Sequence, residues 1–173
     1  MNRAALLPLG GGMVCALMSA LAFAQGQDRE WRTPEAKAWS EADVALPALP
    51  AARDLVEVDV AGGSPTRFYV DTGTVTLEED KVLRLTLVAV TAGGARTVTR
   101  EGFRCKTGEY RLYGIGAGNA WSTPQRSEWR QVARTGYSHV RVVLLDTVLC
   151  EIGVANLPER VVRNLRYPPA PGR

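Results

Sequence analysis

An apolar run, Phe68-Tyr69-Val70, leads into Asp71-Thr72-Gly73 and places a carboxylate on a tight turn. Two such carboxylates brought together share a proton, because neighbouring like charges cannot both ionise easily, and the pair can activate water for peptide hydrolysis. The chain holds one Asp-Thr-Gly triplet, so the second carboxylate would have to come from a homodimer. The apolar-apolar-Gly segment that supports such a turn has only Leu112-Tyr113-Gly114 to stand for it. Strands also end in Asp-Thr-Gly as ordinary turn punctuation, and that reading is preferred.

The other chemistries fail on their residue sets. Nucleophilic hydrolysis would rely on the single histidine, His139, whose neighbour in sequence is Ser138; a triad needs its serine and histidine to meet in space, and no Gly-x-Ser-x-Gly is present. Gly114-x-Gly116-x-Gly118 follows a strand pattern but opens no helix pattern, so it is not a dinucleotide fingerprint. One histidine cannot build a Cys/His zinc set. The chain is therefore read as non-enzymatic, with no cofactor and no metal.

The remaining reactive side chains are Cys15, Cys105 and Cys150, and the first 24 residues decide how they are read. Arg3 gives a positive start, an apolar run follows through Leu21, and Ala22-Phe23-Ala24 supplies a small-x-small cleavage pattern. This is the pattern of a secretory signal peptide cleaved after Ala24. A retained membrane anchor is disfavoured by the short apolar run and by Gly10-Gly11-Gly12. Lipidation at Cys15 is disfavoured by Val14, where a small residue is wanted. Cleavage leaves Cys105 and Cys150, an even pair in an exported chain, which reads as a disulfide. It closes a loop of about 45 residues and restricts the unfolded chain by up to ~4 kcal/mol in the entropy model. Cleavage also removes Arg3 from a formal charge of only +3, and the arginines form no block, so a nucleic-acid partner is excluded.

The positioning elements follow from periodicity. Hydrophobic residues make up 46% of the chain and charged ones 23%, enough for one globular core. Residues 25–54 form a Trp- and Pro-rich arm, with Trp31 and Trp39 as anchors, acidic residues Glu30, Glu35 and Glu41 around them, and an extended Leu46-Pro47-Ala48-Leu49-Pro50. Residues 55–60 alternate as a half-buried strand, and Arg67–Asp71 make a second strand that Gly73 breaks. Val82–Thr91 puts Leu83, Leu85, Leu87 and Ala89 on one face with Arg84 and Thr86 opposite. Gly93-Gly94 turns the chain into a return strand from Arg96 to Cys105, where Gly102 suggests a bulge. A third strand carries Tyr110 and Leu112 on one side, Arg111 and Tyr113 on the other. Residues 114–124 read as loop and 129–132 as a short edge strand. Residues 138–150 admit strand by propensity or helix by the Val140, Val143, Leu144, Thr147, Val148 stripe. Leu157–Arg166 predicts an amphipathic helix with Leu157, Val161 and Leu165 inward. The single β-rich domain spans residues 55–167, and residues 168–173 form a Pro-rich disordered tail.

The segments Phe68-Tyr69-Val70-Asp71, Leu83-Arg84-Leu85-Thr86-Leu87-Val88 and Gly94-Ala95-Arg96-Thr97-Val98 are followed by Glu101-Gly102-Phe103-Arg104-Cys105-Lys106-Thr107-Gly108-Glu109-Tyr110-Arg111-Leu112-Tyr113, then Trp121 and Trp129. Together they resemble the cryptic neisserial protein family (the CNP-one-like domain), small exported proteins of Gram-negative bacteria. The resemblance runs from about Trp39 to Cys150 and is most specific at Glu101–Arg111. It implies location and fold rather than a chemistry, and it favours helix over strand for residues 138–150. Taken alone, Asp71-Thr72-Gly73 resembles the catalytic turn of aspartic proteases.

The expected fold is α+β: mainly an antiparallel β-meander or sandwich-like sheet with one or two C-terminal helices, pinned by Cys105–Cys150. The expected role is a non-catalytic binding or structural module of the periplasm or envelope, without a transmembrane segment once the leader is gone. Its partner is an envelope protein or ligand whose identity is unknown. Charge and aromatics coincide beside a Gly-rich loop at Glu109, Arg111, Tyr113 and Trp121, the expected contact surface. The rival is a homodimeric aspartic-protease-like hydrolase using Asp71.

Overall fold

The computed structural model describes residues 38–60 and 64–169. The leader, Trp31 and the end of the tail lie outside these residues. Six strands follow one another as an antiparallel meander: β1 (Leu55–Val58), β2 (Arg67–Leu77), β3 (Leu83–Val90), β4 (Arg96–Arg104), β5 (Glu109–Ala117) and β6 (Ala120–Ser122). A short β7 (Arg130–Gln131) pairs with the beginning of β5. The chain then makes a helix, α1 (His139–Val143), that widens into a π-helical segment over Leu144–Leu149. A small hairpin, β8 (Cys150–Glu151) and β9 (Val154–Ala155), precedes α2 (Pro158–Arg166). The architecture is the α+β one expected from the sequence.

One face of the sheet is apolar and lies under the helices. Phe68, Val70, Leu85, Leu87 and Phe103 pack there against Val140, Leu144, Leu149, Val161 and Leu165, all buried. Residues 138–149 become helical because Val140, Leu144 and Val148, four apart, then all bury against this face, and Cys150 opens the next strand; tertiary packing overrides the β-propensity of the valines. Leu157 is a correction. It caps α2, which begins at Pro158, and it stays exposed instead of joining Val161 and Leu165.

Cys105 follows β4 and Cys150 opens β8, and the two form the expected disulfide with Cα atoms 5.6 Å apart. The bond ties the end of the helical layer to the sheet. Among the described residues, no helix is long and apolar enough to cross a membrane.

Three local expectations change. Gly73 does not end β2: Asp71 pairs with Thr86 and Thr76 with Arg84, so the residues between them bulge and the strand resumes. The Thr74 hydroxyl fills the gap, donating to the Asp71 carbonyl at 2.9 Å and accepting the Thr86 N–H at 3.1 Å. Residues 114–124 are not all loop, since β5 continues to Ala117 and turns into β6. The bulge expected at Gly102 lies on the partner strand. Arg100 faces Gly114 and Glu101 faces Leu112, which leaves Tyr113 as the extra residue. Gly102 has no side chain because the Tyr113 ring occupies that space: a Cβ there would sit 2.5 Å from the phenol oxygen.

Candidate functional site

The second face of the sheet is polar. Arg84 and Thr86 on β3, Arg100 on β4, and Arg111 and Tyr113 on β5 project to it, and it is covered by the arm, residues 38–50. The arm contains neither helix nor strand, as its Pro-spaced sequence requires. Leu46 and Leu49 settle over Gly114 and Gly116. A Cβ at Gly114 would lie 3.1 Å from Leu46 and 2.9 Å from Trp121, so the Gly-x-Gly spacing cuts a trough for the arm rather than a phosphate loop.

Two carboxylates hold the arm. Asp80, in the turn before β3, is 2% exposed in its side chain; it accepts the Ala42 N–H at 2.8 Å and Arg84 Nη2 at 2.6 Å. Its carbonyl accepts the Trp39 indole N–H at 2.8 Å. Burial alone would raise the Asp80 pKa. The Arg84 guanidinium and the Ala42 and Val82 N–H groups more than offset that and hold it below the usual carboxylate value. Its stabilising contribution is therefore complete above the unfolded value of about 3.9 and is lost as pH falls through the lower folded value. Glu41 is the second anchor. Its Oε1 accepts the Tyr113 hydroxyl at 2.5 Å, and its Oε2 accepts Arg111 Nη1 and, at 3.2 Å, the Trp129 indole N–H. Arg84 Nη2 stands 3.9 Å from Oε1. Burial, together with the Glu41 acceptor, pushes the Tyr113 phenol well above its ordinary pKa, so it stays a donor.

The four residues expected to form a contact surface all lie on this face or at its edge. Arg111 and Tyr113 grip Glu41. Trp121 donates its indole N–H to the Pro47 carbonyl at 2.6 Å. Glu109 pairs with Arg104 at 3.0 Å and accepts the Thr107 hydroxyl at 2.6 Å. Arg104 in turn lies over the Trp39 ring at 4.1 Å and the Trp129 ring at 5.5 Å, cation–π contacts that join Glu109 to the Glu41 cluster. The structure adds Glu41, Asp80, Arg84, Arg100 and Trp129. Apart from Asp80 and Arg84, which lie four residues apart, they are too far apart in sequence to leave a local pattern; the acidic residues beside Trp39 were the one available signal.

Glu101, whose neighbours in sequence include Arg104 and Arg111, pairs with a distant arginine on the other face of the sheet. Its partner is neither Arg104 nor Arg111 but Arg141 of α1, on the apolar face, with Nε to Oε2 at 2.7 Å and Nη2 to Oε1 at 2.6 Å. The Thr99 hydroxyl adds a third bond at 2.7 Å. The pair is buried, with side-chain exposures of 0% and 7%.

Asp71 is 5% exposed, and its Oδ1 accepts the Gly73 N–H at 3.0 Å. Burial raises its pKa, the Gly73 bond lowers it less, and the Asp54 charge raises it further. For an acid with a raised folded pKa, the favourable contribution is complete below the unfolded value of about 3.9 and is lost as pH rises through the folded one. The ionised carboxylate thus opposes folding at neutral pH. Asp71→Asn keeps the acceptor and drops the charge, so its melting temperature at pH 7 should equal or exceed the wild type's, with any gain gone at pH 3. A lower melting temperature at pH 7 would contradict this.

His139 begins α1 and lines a groove of about 620 Å³ with Phe68, Thr66, Tyr137 and Val140. Among the described residues, no three His, Cys, Asp or Glu side chains gather as metal ligands would. Comparison with known proteins finds no match among curated proteins or solved structures. A family model described as the CNP1-like family matches residues 34–166, from before Trp39 to the end of α2.

Proposed function

Since the chain belongs to the CNP1-like family, we propose that it is an exported protein of the periplasm or envelope, released from its leader after Ala24, that acts as a non-catalytic binding or structural module. The observation that carries the binding role is the polar sheet face: arginines and aromatics held rigidly by β3, β4 and β5, and capped by a segment with no regular structure of its own. Arginine with tryptophan and tyrosine is the composition that recurs at the energetic centres of interfaces. The apolar leader pattern and the cysteine pair support export, since an oxidising compartment is where such a bridge persists.

The partner is an envelope protein or ligand that meets Arg111, Tyr113, Trp121 and Glu109. The rival reading, hydrolysis through Asp71, draws no support from a carboxylate committed to its own turn. The test is capture from envelope extract by wild type and by the Arg111→Ala, Trp121→Ala double variant, each checked for a native circular dichroism spectrum. Partners retained by wild type should fall away from the variant. An unchanged set would overturn the surface, and peptide cleavage abolished by Asp71→Asn would overturn the non-catalytic role.

A further inference from the structure

Glu41 is held as a bound ligand is held. Its two oxygens meet Tyr113, Arg111 and Trp129, with Arg84 just beyond. The donors all come from the sheet and the segment entering β7. Tyr113 is seated over Gly102, its ring lies edge-on to Trp129 at 6.4 Å, and Arg84 is locked by the two hydrogen bonds it donates to Asp80. The acceptor comes from an irregular segment. The donor side chains thus all belong to residues outside the arm, with Trp129 also meeting the arm's Trp39 ring edge-on at 6.1 Å.

The cluster also has spare donor capacity. Arg84 and Arg100 are 2% and 4% exposed, yet among the described residues the Nε of each has no hydrogen-bond partner. Arg100 gives Nη1 to the Thr74 carbonyl at 2.7 Å and, among the described residues, makes no bond to a carboxylate, though Asp71 and Glu78 lie near enough to act on its charge. Burial, and then the neighbouring Arg84, depress its pKa to about 10. Buried donors left unpaired are costly and favour an added acceptor. The site meets solvent at its rim, where Arg111 is 31% and Glu41 17% exposed in their side chains.

We infer that Arg111, Tyr113 and Trp129 form a carboxylate-binding site for an acidic, extended peptide segment of a partner, and that Glu41 fills this site in cis. This rests on the binding-module reading and deepens it. The arm supplies the template for the ligand: a glutamate at the donor cluster, then apolar side chains five and eight residues on, where Leu46 and Leu49 lie in the glycine trough. The partner segment takes the same path when the arm lifts. Because the arm competes, apparent affinity in the intact protein falls by the fraction of molecules with the arm released.

The probe is a fluorescein-labelled synthetic peptide copying residues 38–50, followed by anisotropy. It should bind the full-length Glu41→Ala variant at least about tenfold more tightly than wild type, since the cis competitor is weakened. The same peptide with glutamine at the glutamate position should lose at least about tenfold in affinity, and adding Arg111→Ala to the variant should remove binding. Equal binding to wild type and variant, or equal binding of the two peptides, overturns the proposal. Glu41→Gln, which keeps the side-chain shape, serves as a second host. If neither variant yields a native circular dichroism spectrum, the arm is an integral part of the fold and the proposal also falls. The envelope capture reads the broader reading separately: partners that depend on Arg111 and Trp121, without peptide binding, would sink this inference alone.

Discussion

Arg141→Met should lower the unfolding free energy by about 3–5 kcal/mol in urea denaturation, the largest single-residue effect expected in this chain, because it leaves the Glu101 carboxylate buried and unpaired. The cost comes from the environment of the pair. Both side chains lie between β4 and α1, and the Arg141 guanidinium also covers the Tyr110 ring at 4.5 Å. Burial by itself would lower the Arg141 pKa; the Glu101 charge and hydrogen bonds outweigh that and hold it above its ordinary value. Each ion thus depends on the other. Adding Glu101→Leu should recover most of the loss, since a buried pair replaced by apolar groups of similar volume is often neutral or better. A single variant within about 1 kcal/mol of wild type would mean that water reaches the pair, contrary to the burial described.

The second large effect concerns the bridge. Cys105→Ser with Cys150→Ser should cost about 4 kcal/mol, the chain-entropy value for a 45-residue loop. Against a typical domain stability of about 5–15 kcal/mol this is a large share. The closed loop contains β5, β6, β7 and α1, so opening it frees both the polar face and the helical layer. Wild type unfolded in the presence of reductant should show the same denaturation midpoint as the double variant, and oxidised wild type a higher one. Identical midpoints with and without reductant would contradict the role given to the bridge.

Much of the scaffold was legible because it obeys short periods. The leucines of Val82–Thr91 alternate strictly, and the strand they predict is β3 at the centre of the sheet. The cysteine pair was legible by counting, and the docking of Trp39 from its place as an apolar anchor in a Pro-spaced arm. The ambiguity at 138–150 was real: the valines satisfy both periods, and only the apolar face opposite chooses helix. The bulge at Tyr113 was misplaced to Gly102 because a glycine marks the place where two strands are crowded, not which of them carries the extra residue. Arg111, Tyr113 and Trp121 could be picked out as charge beside aromatics, but not the carboxylate that meets them. Glu41 lies 70 residues before Arg111 and Glu101 lies 40 before Arg141, and pairs that far apart have no period to read.

An arm that docks on the sheet and yet lifts from it to admit a partner should be both protected and locally mobile, and amide hydrogen exchange at Ala42 reads both properties at once. Its N–H bonds to Asp80, whereas the Thr86 N–H lies at the centre of the sheet. Ala42 should exchange more slowly in the native protein than in the isolated 38–50 peptide, and faster than Thr86, because the arm opens locally while the sheet does not. Exchange at the peptide rate would show an undocked arm. Exchange at the Thr86 rate would show an arm that leaves only when the whole domain unfolds, and either result would contradict the account.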